Sequence, residues 1–114
     1  MGTTSGAGKA EMDAEMGNDT SSRDDQVLEL RNAGQSFAAI AKSVGYGRAS
    51  ETREAFNRAL RRRPEEVRSA LRLQEMVRLD AMADVFRNSP KLDEEEIAQR
   101  LKAVDQLRTR LMAD

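Results

Sequence analysis

The chain has 114 residues, of which 39% are apolar, 34% charged and only 4% aromatic, with a formal net charge of −1. Cysteine and histidine are both absent, which excludes disulfides, thiolate metal sites and the usual general base and zinc ligand. A chain of this length with so few large apolar groups fits one small domain plus extensions, and its Ala-, Leu-, Arg- and Glu-rich composition favours helix throughout.

Residues 1–21 are rich in Gly, Thr, Ser and acidic side chains with almost nothing to bury, and read as a disordered N-terminal tail. Gly6-Ala7-Gly8-Lys9 only superficially suggests a phosphate loop. Thr3 stands where the first glycine belongs, and Ala10 where a magnesium-binding hydroxyl belongs. No cofactor or metal is expected. No apolar run approaches the ~20 residues that span a bilayer, and no apolar signal-peptide core is found at the start. A cytoplasmic protein without membrane contact is therefore the expectation.

The first helix is expected after Ser21 or Ser22, with Asp24 and Asp25 in its first turn, where carboxylates complement the helix dipole. Gly34 suits its end. Ser36 is the N-cap expected for a second helix, whose apolar residues Phe37, Ile40, Ala41 and Val44 recur at helical spacing, and Gly45 ends it. Ser50 is the expected N-cap of a third helix, with Ala55, Phe56, Ala59 and Leu60 as its buried stripe. Three short helices with a glycine corner between the second and third describe a helix-turn-helix domain over residues 22–63. Tyr46 is expected to fold back onto the small core, and Gly47 to keep the entry to the third helix free of bulk.

Charge is concentrated at that corner. Residues 42–63 hold seven basic and two acidic side chains, a local excess of five positive charges. Arg53 and Asn57 are candidates for base edges, because arginine pairs bidentately with guanine and asparagine with adenine. Arg48, Ser50 and Thr52 stand at the helix start, where hydroxyls and backbone N–H groups meet phosphates. Lys42, Arg58, Arg61, Arg62 and Arg63 contribute charge alone. Glu54 either reads a cytosine or pairs with Arg58 one turn on. Double-stranded DNA is the expected ligand. A basic helix face is also often only a solvated face, and trihelical domains also bind proteins.

Pro64 suits the first position of a fourth helix running to about Asn88, apolar over more than one narrow stripe. Asn88-Ser89-Pro90 breaks the chain. Asp93 and Glu96 then make a capping box for a fifth helix with Ile97, Leu101, Val104, Leu107 and Leu111 along one seam. The run Asp93-Glu94-Glu95-Glu96 is read as capping and dipole compensation rather than a metal site. The expected fold class is all-α: the helix-turn-helix domain followed over residues 64–114 by an antiparallel helical hairpin used for oligomerisation. Met76, Leu79, Met82, Phe86, Leu101 and Val104 are the interface candidates. Repeating a weak DNA-binding unit around an assembly raises avidity.

Ala33-Gly34 with Ser36, Ile40-Ala41, Gly45-Tyr46, Arg58-Ala59-Leu60 and Arg78-Leu79-Asp80 follow one another in an order that resembles, over residues 25–112, the small terminase subunits and related helix-turn-helix packaging proteins of actinobacterial phages and prophages. The end of the chain, Arg110-Leu111-Met112-Ala113-Asp114, departs from the Leu-Leu-Gly-Leu type ending of that family. The resemblance implies a non-enzymatic protein of the bacterial host cytoplasm that recognises the viral packaging site, forms a homo-oligomeric ring and recruits or regulates the large terminase subunit. The competing expectations are a helix-turn-helix transcriptional regulator, phage or host, and a helical interaction scaffold that binds no DNA.

Overall fold

The computed structural model describes residues 16–114, with side chains from Thr20 onward. The expected tail and the Gly6–Lys9 segment lie, for residues 1–15, outside the described residues. The described chain is all-helical: α1 Met16–Asn32, α2 Phe37–Val44, α3 Ala49–Arg61, α4 Glu65–Arg87 and α5 Glu94–Met112. It divides into two compact units, the division falling between Leu60 and Arg61 at the end of α3.

In the first unit, α1 begins at Met16, several residues before the serines expected to cap it. Once a helix is nucleated each added residue gains a backbone hydrogen bond, so it can extend beyond its last packed side chain. Asp24 consequently lies well inside the helix rather than in its first turn, and it is buried. The far end of α1 closes as expected. Gly34 has φ 101°, its N–H donates to Arg31 O, and Gln35 N–H donates to Leu30 O at 3.2 Å. This paired closure satisfies carbonyls that the helix end leaves open.

Ser36 caps α2, its hydroxyl oxygen accepting from Ala39 N–H at 3.1 Å. Gly45 ends it with φ 87° and ψ 21°, and the Tyr46 N–H reaches back to Ala41 O. That backbone conformation brings Cβ too near the carbonyl in any other residue, at about 1–2 kcal/mol. Packing then follows the apolar spacing. Val27 and Leu28 of α1, Phe37, Ile40 and Ala41 of α2, and Ala55, Phe56, Ala59 and Leu60 of α3 make the core. The rings of Phe37 and Phe56 meet edge to face with centroids 5.7 Å apart.

In the second unit, Pro64 stands one position earlier than expected. It is the N-cap of α4, and its carbonyl accepts from Arg68 N–H at 2.9 Å. Asp93 and Glu96 form the expected capping box of α5, Asp93 N–H donating to Glu96 Oε1 and Glu96 N–H to Asp93 Oδ1. α4 and α5 pack against each other with residue numbers rising along one as they fall along the other. Arg72 donates to Leu111 O at 2.9 Å and to Ala113 O at 2.9 Å, and Arg108 bridges Asp80 at 2.7 Å. Leu71, Leu79 and Ala83 of α4 face Val104 and Leu111 of α5 in the buried layer. Glu75 is also buried there and accepts a hydrogen bond from Arg78.

This packing corrects part of the expected interface. Leu79 and Val104 are sealed inside their own unit and cannot meet another copy. Met76, Met82, Phe86 and Leu101 are half-buried. The wide apolar girth of α4 is resolved unequally: one side forms the layer against α5, while Val67, Leu73, Val77 and Val85 stay exposed.

Candidate nucleic-acid interface

The corner between α2 and α3 is built by local chemistry. Gly45 turns the chain, and Tyr46 folds back half-buried, its ring beneath the Arg23 guanidinium at 4.3 Å. Arg23 also donates to Val44 O at 3.1 Å, placing a cation at the C-terminal end of α2, where the dipole favours it. The start of α3 is not capped by Ser50. Ser50 lies within the first turn and is exposed. The Glu51 carboxylate takes over: its Oε1 accepts from Gly47 N–H at 2.9 Å and from Arg48 N–H at 3.1 Å. Gly47 therefore does more than leave room, since it supplies one of the two donors.

Three expected DNA contacts are instead pieces of the fold. Thr52 is fully buried, and its hydroxyl lies 2.8 Å from Ala49 O and 3.2 Å from Phe37 O, tying α3 to the start of α2. Asn57 is 7% exposed and sealed within the interior, out of reach of the adenine edge it was expected to read. Arg58 turns toward α1. Its Nε donates to Asp24 Oδ2 at 2.9 Å and its Nη2 to Asp24 Oδ1 at 3.0 Å. The Asp24 side chain is 1% exposed and that of Arg58 40%. The hydrogen bonds to Asp24 hold the Arg58 guanidinium pKa above its ordinary value, outweighing the opposing effect of burial. The Tyr46 hydroxyl lies 3.5 Å from Asp24 Oδ1, at the edge of hydrogen bonding.

Other candidates remain at the surface. Lys42 and Arg48 are exposed. Arg53 is half-buried, with its guanidinium 4.6 Å above the centre of the Phe37 ring. Arg31, which was not among the expected DNA contacts, stacks on the same ring at 4.2 Å and donates to Gln35 O at 2.9 Å. A cation over an aromatic face retains its charge while its position is fixed. Arg61, the last residue of α3, is exposed. In the opening residues of the second unit, Arg62 is exposed and Arg63 half-buried.

The outward side of α3 therefore differs from the one expected. Ser50, Glu51, Glu54, Arg58 and Arg61 follow helical spacing along it, opposite the buried Thr52, Ala55, Phe56 and Ala59. Two carboxylates lie in its first half, so the positive charge is carried by the helix ends and by Lys42 and Arg48. Such an arrangement suits phosphate contacts better than a dense row of base contacts.

Among the described residues no group of His, Cys, Asp and Glu could hold a metal ion, and no helix is long and apolar enough to cross a membrane. Nothing marks Arg31, Asp24 or Glu51 as important in sequence. Their roles depend on which helix packs beside them.

Comparison adds no identity. No protein-family model, curated protein or solved structure matches this chain.

Proposed function

We propose that this chain binds double-stranded DNA through α1, α2 and α3, used as a helix-turn-helix. α2 braces α3 across the Gly45–Tyr46 corner, and Lys42, Arg48 and Arg61 meet the phosphates. The supporting observation is the exposed basic set around that corner, set against the local excess of five positive charges in residues 42–63. Because Asn57 and Thr52 are buried and Arg58 is committed to Asp24, phosphate contacts dominate in this reading, with Arg53 as the remaining candidate for a base edge.

The biological setting we propose is viral genome packaging: a small terminase subunit that recognises the packaging site, assembles through the hairpin of α4 and α5, and recruits or regulates the large subunit. This part rests on the resemblance carried by Ala33-Gly34, Gly45-Tyr46 and Arg78-Leu79-Asp80. The chain acts without chemistry of its own in this role. A helix-turn-helix regulator would use the same three helices, and the two differ in symmetry. A regulator needs two-fold halves on a palindromic site, whereas a ring needs head-to-tail contacts.

Fluorescence anisotropy on a labelled duplex between 50 and 200 mM salt tests the DNA reading. Each phosphate contact adds ~0.9 to the slope of log K against log salt. Combined Lys42→Ala, Arg48→Ala and Arg61→Ala substitution is expected to flatten that slope by about 2–3 and to weaken all sequences alike. An unchanged slope, or no binding by the unsubstituted chain, would refute it and favour the interaction scaffold.

A further inference from the structure

The outer side of α4 has no neighbour within its own unit, yet it carries large apolar side chains. Leu73 is 67% exposed, Val85 66%, Val77 61% and Val67 44%. We infer that this face pairs with the same face of a second copy of the chain, the two α4 helices lying antiparallel about a two-fold axis beside Val77.

The placement of these residues supports a second copy in that orientation. Val67 and Val85 are ~five helical turns apart, so they project on the same flank of α4, to one side of Val77. In an antiparallel pair Val67 of one copy then meets Val85 of the other. Their sequence midpoint is residue 76. On the opposite flank Glu66, in the first turn, and Arg87, in the last, have their midpoint between residues 76 and 77. One axis therefore serves the apolar contacts and the charges together. It sets each copy's acidic first turn against the other's Arg87 and opposes the two helix dipoles. A parallel arrangement would instead put Glu66 of one copy and Arg87 of the other at opposite ends of the seam, out of each other's reach. Among the described residues Arg87 pairs with Asp84, one turn away at 2.8 Å, with both side chains more than half exposed. An exposed pair of that kind is weak and can exchange for a better one.

The interface also differs from the expected one: it uses the side of α4 that faces away from Leu79 and Val104. It goes beyond the proposed function, since a closed two-fold pair has the symmetry of the regulator rather than of the head-to-tail ring, and it requires no DNA binding. It is therefore measured on the full chain without DNA, and either reading can fail alone. A two-fold contact of this type closes at two copies.

Sedimentation equilibrium is expected to give about twice the chain mass of 12.7 kDa. Val77→Asp should raise the dissociation constant at least about thirtyfold with unchanged helical content, since the residue lies on the axis and appears twice. The natural chain has no cysteine, so single cysteines report orientation. Val77→Cys should form a disulfide-linked pair by itself. Val67→Cys and Val85→Cys should cross-link when mixed but neither alone, because two Val67 positions would lie ~27 Å apart along the seam, beyond disulfide reach. Self-linking of Val67→Cys would overturn the inference in favour of parallel pairing. A larger particle unaffected by Val77→Asp would overturn it in favour of ring contacts elsewhere. A monomer at high micromolar concentration would overturn it outright.

Discussion

Removing Arg58 should cost the first unit more than removing its partner Asp24, and removing both should cost less than removing Arg58 alone. The difference lies in exposure: 1% for the Asp24 side chain against 40% for Arg58. Arg58→Ala leaves a buried carboxylate that has lost two charged hydrogen bonds, at 2.9 and 3.0 Å, and keeps the Tyr46 hydroxyl at 3.5 Å. Depriving a buried carboxylate of its charged partner costs up to about 3–5 kcal/mol. The partly solvated side of this pair argues for the lower end. Asp24→Ala instead leaves a guanidinium that water already reaches, at about 1–2 kcal/mol. The double substitution removes the buried charge itself and should return close to the Asp24→Ala value. A domain of this size holds only a few kcal/mol in total, so Arg58→Ala should leave the first unit largely unfolded at room temperature. Tyr46 is the only tyrosine and tryptophan is absent, so intrinsic fluorescence in a urea titration reports this unit without interference from the second. A double variant no more stable than Arg58→Ala would refute the reasoning. The raised Arg58 pKa gives the pH dependence its sign. The stabilisation from that group is fully present below its ordinary value and is lost only as pH climbs past the raised one, so the arginine side of the pair should add no slope from pH 5 to 10.

Thr52→Val should cost about 1 kcal/mol in the same titration, because shape is retained while a buried hydroxyl hydrogen bond is lost; a stabilised variant would show that the hydroxyl is not needed there. Gly45→Ala should cost about 1–2 kcal/mol from the left-handed backbone alone, since a Cβ there would meet only Arg23 at an ordinary 3.9 Å; Gly45→Asn should cost less, and equal losses would point to crowding instead. Arg53→Ala should weaken binding to a preferred duplex more than to random DNA, whereas Arg61, Arg62 and Arg63 replaced together by alanine should weaken both alike; equal losses in the two comparisons would show that α3 reads no bases. Leu79→Asp should disrupt the packing of α4 on α5 and lower helical content, and unchanged thermal unfolding would contradict the burial of that side chain.

What could be read in advance divides by range. The caps at Ser36 and Asp93 and the stops at Gly34 and Gly45 are settled by atoms within a turn of themselves, and each was legible. The apolar spacings of α2 and α3 were legible for the same reason. Asn57, Thr52 and Arg58 look like surface groups in the sequence because their surroundings come from distant parts of the chain. Asp24 is thirty-four residues from the arginine it holds. Polar side chains at helical spacing look alike whether they face solvent or a buried carboxylate. Leu79 and Val77 show the same limit on α4. Both are apolar and two residues apart, and only the position of α5 decides which is covered.

If the chain binds DNA as proposed, the Glu51 carboxylate has a kinetic consequence at the mouth of α3. Its Oε1 occupies the two amide protons of Gly47 and Arg48 that an incoming phosphate oxygen would otherwise seek. A nucleic acid backbone arriving there meets a resident competitor and must evict it or settle further along. In the proposed DNA-binding role, random duplex would thereby be held more loosely and released sooner, leaving the chain free to travel until some other contact repays the eviction.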